Sequence, residues 1–168
     1  MRLDNAFRDP WVWGQFILIA LVVFGVPWLA ANSDSAGPLA WLTARASSAR
    51  FAGVSVLLLG GLLMLLSAVH LGRNLTPATT PIDDGNLVEK GLYKQVRHPM
   101  YAGLILVLWG LAWIGSNWRM GLVVALVSLV YFDRKAATEE RKLLVRYPGY
   151  AAYMARVPKL IPGRRRRH

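Results

Sequence analysis

The chain has 168 residues, of which 55% are hydrophobic and only 17% are charged, and its mean hydropathy is +0.35. Because the apolar residues are gathered into long runs, this composition predicts an integral membrane protein rather than a soluble one. The formal net charge of +11 is concentrated beside those runs, where cations set topology and attract anionic lipid, so nucleic acid is not an expected partner. The lack of cysteine excludes disulfides, thiolate metal sites and a cysteine nucleophile, and no metal site is predicted.

Four apolar runs follow one another along the chain. Residues 11–31 and 51–71 contain no Asp, Glu, Lys or Arg and are long enough to cross the roughly 30 Å hydrocarbon core of a bilayer. Pro99–Gly115 and residues 118–132 are shorter and are separated by Ser116-Asn117. We interpret this pair either as a tight helical hairpin or as a single re-entrant element. The sequence therefore predicts one all-α domain, a polytopic membrane bundle of about four transmembrane helices.

Charged sequence continues the last apolar run. The helical pattern extends through residues 133–146, so a continuous helix is predicted to carry Glu139 and Glu140 out of the bilayer. Pro148-Gly149 ends this helix, and Tyr150–Arg156 returns toward the membrane with its tyrosines at the interface. Together these segments form a predicted C-terminal helical region outside the membrane.

Lysine and arginine residues predict the orientation, because positive charge collects on the cytoplasmic side. The loop after the first helix carries Arg45 and Arg50, and the hairpin turn carries Arg119. The opposite side carries many more cations: Arg73, Lys90, Lys94, Arg97, Arg134, Lys135, Arg141, Lys142, Arg146, Arg156, Lys159 and residues 164–167. Both termini and the loop 71–98 are therefore expected in the cytoplasm, with the protein in a bacterial inner membrane.

The segment before the third apolar run concentrates polar chemistry where a helix begins. Proline suits the first helical turn, so a helix is predicted to start at Pro99 with His98 at its cap and Tyr101 on the same face. The free N–H groups of a helix start favour an anionic ligand group. The segment forms a pattern, Gly-x-Tyr-x-x-x-Arg-His-Pro-x-Tyr-x-Gly, made by Gly91, Tyr93, Arg97, His98, Pro99, Tyr101 and Gly103.

A second block of motifs lies on the same predicted side of the membrane. It consists of Glu139-Glu140-Arg141-Lys142-Leu143, Tyr147-Pro148-Gly149-Tyr150-Ala151-Ala152-Tyr153, Arg156-Val157-Pro158 and Ile161-Pro162. In this order, over residues 86–162, the two blocks resemble the signature of the isoprenylcysteine carboxyl methyltransferase family of integral membrane enzymes, which is related to the phospholipid N-methyltransferases.

The resemblance implies a methyltransferase that uses S-adenosylmethionine and a lipid-like or isoprenylcysteine-type carboxylate acceptor. It implies acceptor-side catalytic roles for Arg156 and Tyr153. It also implies cofactor contacts from Tyr93, Arg97, His98, Pro99, Tyr101 and Glu140. Since no Gly-x-Gly-x-x-Gly pattern follows a strand, a Rossmann site is not expected, and a helical pocket at the cytoplasmic surface must hold the cofactor. In-line displacement at the sulfonium methyl carbon needs positioning and desolvation more than a strong base.

Each candidate residue also has a purely structural interpretation. His98 can cap a helix and bind headgroup phosphate, and Arg97 and Arg156 can anchor the chain to headgroups instead of holding a carboxylate. Glu139 and Glu140 point about 100° apart on a helix, so only one is expected to face the site, and Glu140 is favoured.

Three other functions fit the same sequence. One is a phospholipid N-methyltransferase, which would share the cofactor and the membrane. Another is an NADPH-dependent protein like the sterol reductases, whose C-terminal helices resemble this family. The third is a non-catalytic membrane binding module that retains the fold.

Overall fold

The computed structural model describes residues 9–32, 50–75, 79 and 86–163. In these ranges the chain is helical and contains no strand, so the predicted all-α class is confirmed. The helices are α1 (Pro10–Asn32, with a π-helical turn at Leu21–Gly25), α2 (Arg50–Leu71), α3 (Pro99–Gly115), α4 (Trp118–Arg146) and α5 (Tyr150–Arg156). Short 3₁₀ segments at Gly72–Asn74 and Gly91–Lys94 lie between α2 and α3.

Local sequence signals set the helix ends. Asp9 caps α1 by accepting from the Trp11 N–H at 3.0 Å, and Asn117 caps α4 by accepting from the N–H groups of Arg119 and Met120. Pro99 is the first residue of α3 and His98 its cap, as predicted, although the His98 side chain makes no capping hydrogen bond. Because α3 ends at Gly115 and α4 begins at Trp118, the predicted tight connection at Ser116-Asn117 is confirmed.

Two helices, α1 and α2, are long and apolar enough to cross a membrane. The apolar helix α3 is shorter, with 17 residues, and α4 has 29 residues, of which only the first half is apolar. Many large apolar side chains of these helices point outward, including Phe24, Leu58 and Val130. An apolar surface of this extent is typical of a protein that faces lipid.

Glycines bring α2 and α3 into backbone contact. A Cβ atom added at Gly60 would lie 2.7 Å from the Gly103 carbonyl oxygen, and one added at Gly110 would lie 2.7 Å from the Gly53 carbonyl oxygen. This reversed order makes the pair antiparallel. Among the described residues, none lies within 4 Å of such an atom at the adjacent Gly61, so Gly60 is the member of the Gly60-Gly61 pair that contacts α3.

The C-terminal segment folds back onto the start of α3. The Arg97 N–H donates to the Pro158 carbonyl at 2.8 Å, and the His98 N–H donates to the Lys159 carbonyl at 3.0 Å. The Tyr153 hydroxyl donates to the Tyr93 carbonyl at 2.6 Å. These bonds join the two motif blocks at one end of the bundle, beside the core formed by α1, α3 and α4.

Candidate active site

A pocket lies at the end of the bundle where the two motif blocks meet. The space between its atoms, open mouth included, is about 790 Å³. One part of its lining is apolar and comes from Leu71, Leu87, Val88, Met100 and Leu143. The other part is aromatic and polar and comes from Asn74, Asn86, Tyr93, Arg97, His98, Tyr101, Glu139, Tyr147, Tyr150 and Tyr153.

A buried ion pair joins the lining residue Arg97 to Glu140, which lies behind the lining. The Arg97 Nε donates to Glu140 Oε1 at 2.7 Å, and the two side chains are only 2% and 6% exposed. The Arg97 Nη1 donates to the carbonyls of Met154 and Val157. Arg97 is therefore engaged by a carboxylate of its own chain and holds the C-terminal segment in place.

Glu140 remains ionised in this environment. Burial opposes its ionisation, but the hydrogen bonds from His98 and Arg97 outweigh that effect and hold the pKa of Glu140 below its ordinary value. His98 Nε2 lies 3.2 Å from Glu140 Oε1. The carboxylate thus links the side chains of both neighbouring motif residues.

Acidification is expected to destabilise the folded protein through Glu140. In the unfolded chain its pKa returns to about 4.3, so the unfolded state binds a proton more readily than the folded state. Its contribution to stability is complete above the pKa of the unfolded state. The contribution is lost as the pH falls through the lower pKa that Glu140 has in the folded state. Thermal unfolding in detergent between pH 7 and pH 3.5 should show this loss, and Glu140→Gln should flatten it. Equal pH dependence in both proteins would contradict this assignment.

Glu139 presents its carboxylate to the pocket. Its Oε2 accepts from the Tyr101 hydroxyl at 2.8 Å and lies 3.8 Å from His98 Nδ1, and its side chain is 24% exposed. The His98 ring therefore contacts both glutamates. The structure places Glu139 in the lining and the favoured Glu140 behind it, because the rotation of α4 turns residue 139 toward the pocket.

The tyrosines of the lining are neutral aromatic groups. Tyr101 stacks on His98 with ring centroids 5.4 Å apart and on Phe132 at 5.3 Å. Burial raises the pKa of Tyr93, Tyr150 and Tyr153, so these phenols stay protonated at physiological pH. Neutral electron-rich rings attract cations to their faces.

The structure brings most of the predicted site residues together. Tyr93, Arg97, His98, Tyr101 and Tyr153 line the pocket. Pro99 is buried in the first turn of α3, outside the lining.

Arg156 lies apart from this group. Its side chain is 66% exposed, and its Nη2 pairs with Glu89 Oε2 at 2.9 Å. It is not part of the pocket lining.

Sequence reasoning missed several lining residues. Tyr147 and Tyr150 stand inside the second motif block, so their position there could have identified them. Asn74 and Asn86 carry no such signal: the Asn74 amide donates to the Asn86 carbonyl at 2.7 Å, which joins the end of α2 to a residue twelve positions later.

The charges of the lining favour a cationic ligand group. Glu140 neutralises Arg97, and Glu139 adds a carboxylate beside tyrosine rings, a combination that suits a sulfonium or an ammonium group. The residues present therefore fit S-adenosylmethionine. Among the described residues, no three His, Asp or Glu side chains are placed to hold a metal ion.

Most of the residues that line this pocket lie in a region that matches a known family. The model of the phospholipid methyltransferase family matches residues 48–149, more than half of the chain. Over 80 residues, or 47% of the chain, it is 34% identical to a protein-S-isoprenylcysteine O-methyltransferase of Schizosaccharomyces pombe, of which the match covers 34%. Over 75 residues, or 44% of the chain, it is 39% identical to methanethiol S-methyltransferase 1 of Bradyrhizobium diazoefficiens, of which the match covers 25%.

A third relative is named for metal resistance and not for methyl transfer. The cobalt-zinc-cadmium resistance protein CzcN of Cupriavidus metallidurans is 30% identical over 79 residues, which are 47% of this chain and 37% of that protein. The chain thus matches between a quarter and little more than a third of the length of these relatives. The family model and the two methyltransferases confirm the resemblance drawn from the motifs: the chain belongs to the phospholipid methyltransferase family.

Proposed function

We propose that this protein is an integral membrane methyltransferase that binds S-adenosylmethionine in the pocket and methylates a lipid-like acceptor. The observation that carries the proposal is the meeting of both motif blocks around one pocket, with the Glu139 carboxylate among neutral tyrosine rings. The family and two of the named relatives are methyltransferases, which supports the same reaction class.

The residues of the pocket bind and orient rather than act as strong acids or bases. Glu139 would hold the amino group or the ribose hydroxyls of the cofactor, and the ring of Tyr93 would attract its positive charge. Tyr101, whose ring is stacked on His98 and Phe132, would hold Glu139 in place through its hydroxyl. The bound cofactor would supply the methyl group, which passes to the acceptor and leaves S-adenosylhomocysteine. The tyrosine and leucine walls would orient the bound cofactor and acceptor, and such positioning lowers the barrier to methyl transfer.

The acceptor is proposed to enter from the bilayer. Leu71 at the end of α2 and Met100 at the start of α3 give the pocket an apolar side. An apolar body can pass from the lipid to this side without contacting water, whereas burying an unpartnered polar group there costs free energy. A lipid-like acceptor therefore fits the pocket better than a small polar molecule.

Three reacting groups are considered for the acceptor: a carboxylate, a thiol and an amine. An isoprenylcysteine-type carboxylate is the first candidate, because one relative carries that name. However, the two arginines expected to aim a carboxylate are engaged elsewhere, Arg97 by Glu140 and Arg156 by Glu89. A thiol, as in the name of the Bradyrhizobium relative, and a phospholipid amine are therefore included as acceptors in the test.

The proposed topology places the pocket at the cytoplasmic face. In it α1, α2, α3 and the apolar half of α4 cross the membrane, and both termini lie in the cytoplasm of a bacterium. The lysine and arginine distribution supports this orientation. S-adenosylmethionine would then reach the pocket from the cytosol.

Methyl transfer tests the proposal directly. Protein reconstituted in lipid vesicles is given S-adenosylmethionine with a labelled methyl group and three acceptors of equal apolar length, which carry a carboxylate, a thiol or an amine. We expect label in the lipid phase, and we expect Glu139→Gln to lower the rate about 10- to 100-fold, because a hydrogen bond to a charged group contributes about 1.5–3 kcal/mol.

Matched variants make this result specific. Glu89→Gln makes the same chemical change outside the pocket lining and should leave the rate near that of the wild type. Arg156→Ala separates the two roles considered for Arg156: an acceptor role predicts a lost rate with unchanged cofactor affinity, and a surface ion pair predicts that neither changes. The absence of labelled product with every acceptor would contradict the proposed function.

A further inference from the structure

A buried lysine lies beneath the pocket and has no part in the chemistry described so far. Lys135 on α4 is fully buried, with a relative exposure of 0%. It does not line the pocket. Taking an ammonium out of water costs several kcal/mol. A position that serves packing alone therefore more often carries an apolar side chain.

The contacts of Lys135 join three helices under the site. Its Nζ donates to Gln15 Oε1 on α1 and lies 5.4 Å from the centre of the Tyr101 ring on α3. A cation over an aromatic face at this distance attracts the ring and restricts its position. The ring of Tyr101 is thereby held from α1 and α4 as well as by its stacking on His98 and Phe132.

Tyr101 connects this lysine to the pocket carboxylate. Its hydroxyl donates to Glu139 Oε2 at 2.8 Å, so the position of the ring sets the direction of the carboxylate. Glu139 also lies four residues after Lys135 on α4, where opposite charges attract across one helical turn. Lys135 thus influences Glu139 in two ways, by holding Tyr101 in position and by direct electrostatic attraction.

We propose that Lys135 is a positioning residue, which holds Tyr101 and keeps the Glu139 carboxylate aimed into the pocket for the cationic cofactor. This inference rests on the proposed function, since it assigns a role within the same site. The inference predicts that loss of Lys135 changes cofactor affinity in the direction opposite to that expected from its charge alone. Removing a nearby positive charge would by itself tighten the binding of a cation, whereas loss of positioning weakens it.

Calorimetric titration of the full-length protein in detergent with S-adenosylmethionine and S-adenosylhomocysteine tests this inference. We expect Lys135→Met to weaken the binding of both compounds at least tenfold, because both carry the amino group and the ribose hydroxyls that Glu139 is proposed to hold. Lys135→Arg should restore most of the affinity because it keeps a cation beside Tyr101. Lys142→Met, two turns further along α4, is the matched control: Lys142 donates to the Thr79 hydroxyl at 2.7 Å, and its loss should leave both affinities within twofold.

The outcomes separate this inference from the proposed function. If the wild-type protein binds neither compound, the proposed function fails and this inference falls with it. If the wild type binds and Lys135→Met binds as tightly or more tightly, the inference alone is overturned, and equal losses in Lys135→Met and Lys142→Met overturn it as well. If Lys135→Met does not fold, Gln15→Leu is the variant that tests the inference. It keeps the lysine but removes its amide partner, so it should also weaken binding. Unchanged affinity of Gln15→Leu would overturn the inference.

Discussion

Replacing Glu140 with alanine is expected to destabilise the protein by about 3–5 kcal/mol, because breaking a buried ion pair leaves an uncompensated charge. The charge in question is Arg97, whose side chain is only 2% exposed. The arginine would keep its bonds to the Met154 and Val157 carbonyls but lose its carboxylate. Thermal unfolding in detergent measures the loss. The sequence alone predicts that this variant loses cofactor affinity, and the structure adds a loss of stability.

Two controls test the cause of that loss. Glu89→Ala breaks the exposed pair with Arg156, and surface pairs contribute only about 0–1 kcal/mol, so it should change the unfolding temperature little. The double variant Arg97→Leu with Glu140→Leu removes both charges and should recover much of the stability. An alanine variant at Glu140 that unfolds at the wild-type temperature would show that the buried pair does not stabilise the fold.

Gly60→Ala is expected to cost about 1–3 kcal/mol of stability, the usual range for overpacking a well-packed site. The new Cβ would lie 2.7 Å from the carbonyl oxygen of Gly103 and from the backbone nitrogen of Val107, and neither can move without shifting α3. Because α3 begins with the motif residues of the pocket, the same shift should weaken ligand binding. Thermal unfolding and ligand titration measure the two effects.

Gly61→Ala supplies the matched control for this prediction. It makes the same substitution one residue later, where no atom of the described part of the chain lies within 4 Å of the added carbon. Alanine favours the helix over glycine by up to about 1 kcal/mol, so this variant should be as stable as the wild type or more stable. Equal losses at Gly60 and Gly61 would mean that the backbone contact between α2 and α3 does not hold the bundle together.

Local signals made the helices predictable from the sequence. Pro99 marks the start of α3, Asn117 precedes α4, and Pro148-Gly149 separates α4 from α5. Each of these effects acts within one turn of helix, so neighbouring residues suffice to read it. The apolar runs likewise give the approximate limits of the long helices, because burial in lipid requires an unbroken apolar segment.

The side-chain contacts of the site could not be predicted, because they join residues that are far apart in the sequence. Arg97 bonds to a carboxylate 43 positions away, and nothing in the motif distinguishes that partner from a bound ligand. The choice between Glu139 and Glu140 depends on how far α4 is rotated about its axis, which packing against α3 decides. The pairing of Arg156 with Glu89 similarly depends on how α5 docks, because the two residues are 67 positions apart.

The central claim is that this pocket binds an adenosyl sulfonium cofactor, and one titration tests it most directly. S-adenosylhomocysteine is titrated by calorimetry into the folded, detergent-purified protein, with NADPH as the control ligand. The account predicts saturable binding of S-adenosylhomocysteine at one site per chain and no binding of NADPH. Binding of NADPH alone would place the protein with the reductases, and binding of neither would leave the pocket as part of a non-catalytic scaffold; either result would contradict the methyltransferase proposal.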